Sequence, residues 1–298
     1  MLKKFFVYLI AIFICIGSLG VNEANKVYAK EVTKSEEGTN GTWIWDTSII
    51  VSQGSEIISF LKESNINELY LQINRDISKD KYREFINMAS ENDIKVYALD
   101  GSSSWILEEK RYRVDRFFDW VEEYNNTSSN NQKFSGIHLD VEPYVSSIWK
   151  SDKATAILYY QDYLEYAVDR AHKLNLSFGA DIPFWFDGTY FSNIYGEGNL
   201  ARWLLERVDS ANIMAYRDKA ENIISCAKNE LKWAKELGKK LVISVEIGKS
   251  SEGDSITFYE EGKDYMYSEL EKVKQYCKEE GYTPNLAIHY LEKLMEFK

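Results

Sequence analysis

Short apolar segments of strand character alternate with helix-periodic stretches eight times between Trp43 and the C-terminus, and this alternation restricts the chain more than any other feature. The strand candidates are Trp43 to Asp46, Leu69 to Asn74, Lys95 to Asp100, Gly136 to Glu142, Ser177 to Ile182, Ser210 to Tyr216, Leu241 to Glu246 and Leu286 to His289. Helical periodicity runs over Glu56 to Glu63, Lys81 to Glu91, Val114 to Tyr124, Ala154 to Leu174, Asn222 to Leu237 and Tyr267 to Glu279, with a short last helix over Leu291 to Phe297. Strands that are short and largely apolar, each followed by a helix, predict a parallel sheet covered on its outer face. Eight such units in roughly 250 residues predict an α/β fold of the (β/α)8 barrel type. A doubly wound open sheet is the main alternative, but it needs no eighth strand and usually carries a Gly-rich phosphate turn, which this chain lacks.

The expected organisation is a leader over residues 1–29, a flexible arm over 30–41 and a single barrel domain over 42–298. Lys3 and Lys4 precede an uncharged apolar run from Phe5 to about Val21, and Val27-Tyr28-Ala29 fits a signal-peptidase site, so cleavage is expected near Ala29-Lys30 and the product is expected outside the cell. An uncleaved membrane anchor is the alternative, because the run approaches spanning length. Loss of Lys3, Lys4, Lys26 and Glu23 takes the formal charge from -11 to about -13. So acidic a product is a poor nucleic-acid binder. Only Cys226 and Cys277 then remain, on predicted helices, which gives no disulfide framework and no metal cluster; whether the two are bridged stays open. No cofactor, no metal, no stable membrane insertion after leader removal and a monomeric state are expected.

Gly136-Ile137-His138-Leu139-Asp140-Val141-Glu142-Pro143 carries the most chemistry. Side chains alternate across a strand, so His138, Asp140 and Glu142 share one face. Residues two apart on a strand have Cα atoms only ~6.6 Å from each other, so an ionised Asp140 is expected to raise the pKa of Glu142 and keep it ready to donate a proton. In a barrel of this type the reacting groups come from the C-terminal ends of the strands. Here those ends offer Asp46, Asn74, Asp100, Asp140 with Glu142, Asp181, Tyr216, Glu246 and His289. Trp45, Trp105, Trp149 and Trp185 fall at the same rim, where flat apolar rings beside polar acceptors suit sugars. Trp120, Trp203 and Trp233 lie on helices and are expected to pack. His138 is read as a satisfied interior residue more readily than as a partner orienting Asp140, and His172 as exposed on a helix.

Ser135 to Glu142 resembles the D-G-x-D-x-D-x-E strand of family 18 chitinase-like glycosidases, and Met214-Ala215-Tyr216-Arg217-Asp218 resembles their M-x-Y-D strand two units later. The resemblance implies that Glu142 is the proton donor, that Asp140 orients the acetamido group of the substrate and that Tyr216 supports the same group. Ser135 and His138 stand where the family has its first two Asp residues, and Arg217 separates Tyr216 from Asp218. Glu142-Pro143 and Ser244-Val245-Glu246-Ile247-Gly248 also resemble the acid/base and nucleophile motifs of clan A retaining glycosidases, with Val141 in place of that clan's Asn. The two resemblances agree on Glu142 and differ on Glu246, which is either a nucleophile or a group that binds sugar hydroxyls; pairing with Arg75 or Arg217 is its unreactive alternative.

The function expected is an exported glycoside hydrolase acting on an extracellular or cell-wall polysaccharide. Glu142, Asp140 and Glu246 are the catalytic candidates, and Tyr216, Asp181, Trp45, Asp46, Trp185, His289, Asp100 and Asn74 the substrate contacts. A non-catalytic glycan-binding barrel and an exported amidase acting on cell-wall material are the alternatives. No H-x-H, H-E-x-x-H or G-x-S-x-G motif supports metal hydrolysis or acyl transfer.

Overall fold

A computed structural model describes residues 38–298, of which 39–298 form one compact unit. The expected leader and most of the expected arm lie outside the described residues. Strand β1 (Asn40–Ile44) begins two residues inside the stretch expected to be arm.

Eight parallel strands close into a barrel: β1, β2 (Glu68–Gln72), β3 (Lys95–Asp100), β4 (Gly136–Leu139), β5 (Ser177–Pro183), β8 (Ser210–Met214), β9 (Lys240–Glu246) and β10 (Leu286–His289). They follow one another round the barrel in chain order, and β10 returns to β1 with Leu286 opposite Asn40. The chain is thus a (β/α)8 barrel. Parallel neighbours in chain order need crossovers, and helices such as Arg111–Asn126, Lys153–Lys173, Ala220–Leu237 and Lys263–Glu279 supply them.

Alternation along each strand decides what faces the helices. Leu69, Leu71, Val96, Ala98, Ile137, Leu139, Phe178 and Ile213 are all buried in the layer between sheet and helices. The helix Arg111–Asn126 meets that layer with Val114, Phe117, Phe118, Val121 and Tyr124, an i, i+3, i+4, i+7, i+10 stripe. Complete burial of each such side chain contributes on the order of 2 kcal/mol. The other set of strand residues fills the barrel, where Trp43, Tyr70, Leu99, Val242 and Ala287 form a small apolar cluster of their own. Their register places Trp43 opposite Tyr70, Tyr70 opposite Tyr97, and Leu99 opposite His138.

The barrel interior is polar at both ends. At the N-terminal end Glu68 is 3 % exposed, contacts Lys240 Nζ, and accepts from the hydroxyls of Tyr70 and Tyr97 at 3.4 Å each. Asn212 Oδ1, also 3.4 Å from the Tyr70 hydroxyl, shares that one proton with Glu68. At the opposite end the strands open into loops that hold most of the expected site.

Several strands end earlier than the sequence expectation: β1 at Ile44, β2 at Gln72 and β8 at Met214, before Asp46, Asn74 and Tyr216. β4 stops at Leu139, so Asp140 and Glu142 lie beyond the ladder, although the Asp140 N–H still donates to the Asp100 carbonyl at 3.0 Å. An antiparallel hairpin, β6 (Tyr190–Asn193) with β7 (Gly196–Asn199), follows β5 in a stretch without an expected strand. Its residues are half exposed and half partly buried, and they include little of the β-branched content that marks a strand. Cys226 and Cys277 are both free thiols. Among the described residues no helix is long and apolar enough to cross a membrane.

Candidate active site

The β4 exit is shaped by what its neighbours lack. A Cβ built on Gly179 would lie 2.6 Å from His138 Nδ1, so the glycine opposite His138 in β5 makes room for the imidazole. A Cβ on Gly101 would lie 1.8 Å from the Asp140 carbonyl oxygen, so only glycine lets the β3 exit run against Asp140. His138 then sits almost fully buried, 4.2 Å centroid to centroid from the Tyr70 ring.

Asp181, at 5 % exposure, meets two inner side chains. Trp43 Nε1 donates to its Oδ2 at 3.3 Å, and His138 Nε2 lies 3.0 Å from the same oxygen, an electrostatic contact whose angle is poor for a hydrogen bond. The opposite oxygen, Asp181 Oδ1, and Asp140 Oδ1 are shielded from solvent and are reached by no donor among the described residues. Burial raises the Asp140 carboxyl well above the usual carboxylate range, and the negative charges of Asp181 and Glu142 raise it further. Charge coupling along the β4 exit therefore acts visibly on Asp140, whereas the alternation argument placed its effect on Glu142.

Glu142 accepts a short hydrogen bond from the Tyr144 hydroxyl at Oε1. That phenol is pushed up by burial and then by the Glu142 charge, so it remains a donor. Tyr144 packs edge-on against Trp185 at 5.1 Å, and Trp185 meets Trp149 at 6.0 Å, which builds an aromatic wall from the loops after β4 and β5. Trp105 is instead buried against Phe117 and belongs to the core.

Glu246, at the end of β9, is held by three donors. Its Oε1 accepts from the backbone N–H groups of Ile247 at 2.8 Å and Gly248 at 2.5 Å, and its Oε2 lies 2.7 Å from His289 Nδ1. Trp45 Nε1 donates to His289 Nε2 at 2.9 Å, which fixes that nitrogen as acceptor and makes Nδ1 the donor to Glu246. Neither arginine suspected of neutralising Glu246 does so: Arg75 turns to Asp100, and Arg217 donates to the Tyr216 carbonyl at 2.6 Å while covering the Phe184 ring.

Tyr216 joins the two halves. It stacks on His289 at 6.1 Å, and its phenol is raised well above its ordinary range by burial and then by Glu246, Asp181, Asp140 and Glu142, in that order. Four carboxyl groups from β4, β5 and β9 thus act on one hydroxyl at the C-terminal mouth of the barrel. Among the described residues no lysine or arginine is within ion-pair reach of any of the four.

The structure thus groups Asp140, Glu142, Asp181, Tyr216 and Glu246, joins His289 and Trp45 to them through Glu246, and joins Trp185 through Tyr144. It does not bring in the other three. Asp46 is exposed and accepts from the Ser48 N–H at 3.0 Å and the Ser48 hydroxyl at 2.6 Å, which forms the turn after β1. Asn74 accepts from the Asp76 N–H at 3.0 Å in the turn after β2. Asp100 faces Arg75 to one side of the mouth. Trp43 and Tyr144 belong to the grouping and were not singled out from sequence. Tyr144 was legible in principle from its position two residues after Glu142, whereas Trp43 required the closed barrel to reach Asp181.

Solved structures superpose over most of the chain. A class V chitinase from Nicotiana tobaccum superposes with a TM-score of 0.51 at 14% identity, over 85% of this chain and 93% of that one. The glycoside hydrolase domain of PgaB from Bordetella bronchiseptica gives 0.49 at 10% identity, over 88% and 95%. A sugar phosphate isomerase/epimerase from Parabacteroides distasonis gives 0.48 at 8% identity, over 85% and 87%. The likeness is one of fold, and this barrel hosts many reactions. No protein-family profile and no curated protein sequence matches the chain.

Proposed function

We propose that the protein is an exported glycoside hydrolase that cleaves an extracellular or cell-wall polysaccharide containing acetamido sugars. The observation that carries this reading is the convergence of Asp140, Glu142, Asp181 and Glu246 on Tyr216 with no neutralising lysine or arginine among the described residues. Uncompensated carboxylates at a barrel mouth are costly to fold and suit the protonation of a leaving group. The apolar leader with Val27-Tyr28-Ala29 supports export.

In this mechanism the Glu142 carboxyl gives its proton to the glycosidic oxygen as the C1–O bond breaks, and Tyr144 holds the carboxyl at Oε1. The carbonyl oxygen of the substrate's acetamido group attacks C1, with the Tyr216 hydroxyl donating to that oxygen and Asp140 accepting from the acetamido N–H. Water then opens the cyclic intermediate, and Glu142 takes up the proton. Glu246 positions rather than attacks, because its three donors already occupy both oxygens. Trp185 and Trp149 offer apolar faces to sugar rings.

Polysaccharide cleavage by wild type, Asp140→Asn and Glu246→Gln, compared side by side, tests the assignment. Loss in Asp140→Asn that azide does not rescue supports acetamido participation; loss in Glu246→Gln that azide restores supports a covalent intermediate and defeats the mechanism. A second reading is a glycan-binding barrel without turnover. It is favoured by the Tyr144 hydroxyl that engages Glu142 and by His138 standing against Asp181. Sugar binding by wild type without any product would establish it.

A further inference from the structure

Beside the mouth, a cavity of about 320 Å³ is lined by Arg75, Arg113, Arg116, Asp100, Ser102 and Tyr112. Three guanidinium groups face one carboxylate, in a chain whose net charge is -11. That carboxylate pairs with Arg75 alone among the three, and loosely. Asp100 Oδ1 accepts from the Gly101 N–H at 2.9 Å and from Gln72 at 3.3 Å, and Oδ2 stays 3.7 Å from Arg75, beyond hydrogen-bond range. Burial lowers the Arg75 guanidinium from its ordinary value; the Asp100 charge opposes that shift in part, and the nearby Arg116 charge adds to it. Arg75 Nε is shielded from solvent with no acceptor among the described residues.

The acids of the adjoining surface are engaged elsewhere. Asp115 and Asp119 take Arg170 at 2.8 and 2.7 Å, and Glu123 takes Lys79 at 2.6 Å. Among the described residues Arg113 donates only to the hydroxyl of Tyr112, at 3.2 Å. Arg113 and Arg116 lie in the first turns of the helix Arg111–Asn126, whose first turn carries no acidic residue. Basic side chains at that end add to the positive end of the helix dipole, and Glu108 and Glu109 in the turn before the helix offset part of it.

The cavity adjoins the chemistry. Its wall includes Gly101, whose backbone runs against the Asp140 carbonyl, and Asp100, whose carbonyl accepts the Asp140 N–H at 3.0 Å. Guanidinium forks match the oxygens of carboxylate and phosphate groups.

We propose that Arg75, Arg113 and Arg116 form a subsite for an anionic substituent on the glycan, a carboxylate or a phosphate ester, so that the substrate is an acidic polysaccharide. The proposal rests on the hydrolase reading for its substrate class. Its test uses the full chain carrying Glu142→Gln, with binding to three polymers on one chitin backbone: carboxymethyl, phosphorylated and hydroxyethyl chitin. The acidic forms are expected to bind at least about tenfold more tightly than the neutral hydroxyethyl form, the size of one charge-assisted contact. Adding Arg75→Gln with Arg116→Gln should erase that preference, while Lys228→Gln with Lys232→Gln, which removes the same charge from an exposed helix face, should keep it. The more strongly retained acidic form identifies the substituent.

Equal binding of acidic and neutral polymers, or equal loss in the lysine control, overturns the subsite and leaves the hydrolase reading standing. Acidic polymer bound through the arginines, with no product released by wild type, upholds the subsite and overturns the hydrolase. Binding of none of the three polymers overturns both. A thermal unfolding midpoint unchanged in the arginine variant shows that a lost preference reflects recognition rather than folding.

Discussion

The two ends of the barrel bury acids of the same kind and treat them oppositely. At the closed end Glu68 has Lys240 in direct contact and two tyrosine hydroxyls within 3.4 Å. At the open end four carboxyl groups share histidine, tyrosine, tryptophan and backbone donors, with no lysine or arginine in reach among the described residues. A compensated acid holds the barrel together, whereas an uncompensated acid costs stability and keeps proton affinity. The separation of charge from counter-charge is what marks the mouth as the candidate site.

Substitutions at each end sharpen this contrast. Glu142→Gln should cut polysaccharide cleavage by ~100-fold to 10,000-fold and leave the unfolding midpoint no lower than wild type, measured by reducing-sugar release and thermal melts. Lys240→Met should do the reverse, destabilising by about 3 to 5 kcal/mol because Glu68 is left buried and unpaired. Activity per folded molecule should be retained, and a loss of turnover there at constant fold would break the comparison.

A third acid provides the control. Glu230, on the helix Ala220–Leu237, is fully buried with no partner for either oxygen among the described residues, and its carboxyl is raised to about 8 by burial and by Asp187. A raised folded-state pKa gives stability that is present below the unfolded value of 4.5 and is lost as pH rises to about 8. Glu230→Gln should therefore stabilise by on the order of 3 kcal/mol above pH 8 and by almost nothing below pH ~4.5. Urea melts across that range check it. Asp140→Asn should show an effect of the same sign: a melting midpoint above wild type at neutral pH that converges with it in acid, alongside lost cleavage. A stabilised variant at Asp140 that remained fully active would show that the mouth carries this acid for no catalytic purpose.

How much of this was legible in the sequence depended on periodicity. Lys95–Asp100 and Leu286–His289 are strands over the very residues that alternation marks, since both bury one face against helices and one inside the barrel. The hairpin Tyr190–Asn199 was not legible, because an exposed hairpin needs no apolar alternation. Among site candidates, Asp140 and Glu142 followed from spacing, and Asp181, Tyr216, Glu246 and His289 from strand ends. Asp46 and Asn74 occupy strand ends equally well, yet their side chains cap turns, a local use that spacing does not separate from binding.

The sequence by itself determined the repeating strand–helix order and therefore the barrel, because hydrophobic periodicity is a property of neighbours along the chain. Only the tertiary structure decided that Trp43 reaches Asp181, that His289 and two backbone amides occupy Glu246, and that three arginines collect beside Asp140's neighbour Gly101. Charge compensation is a matter of distances of a few ångströms between strands and loops far apart in the chain. Closure of the barrel sets those distances, and no local pattern records them.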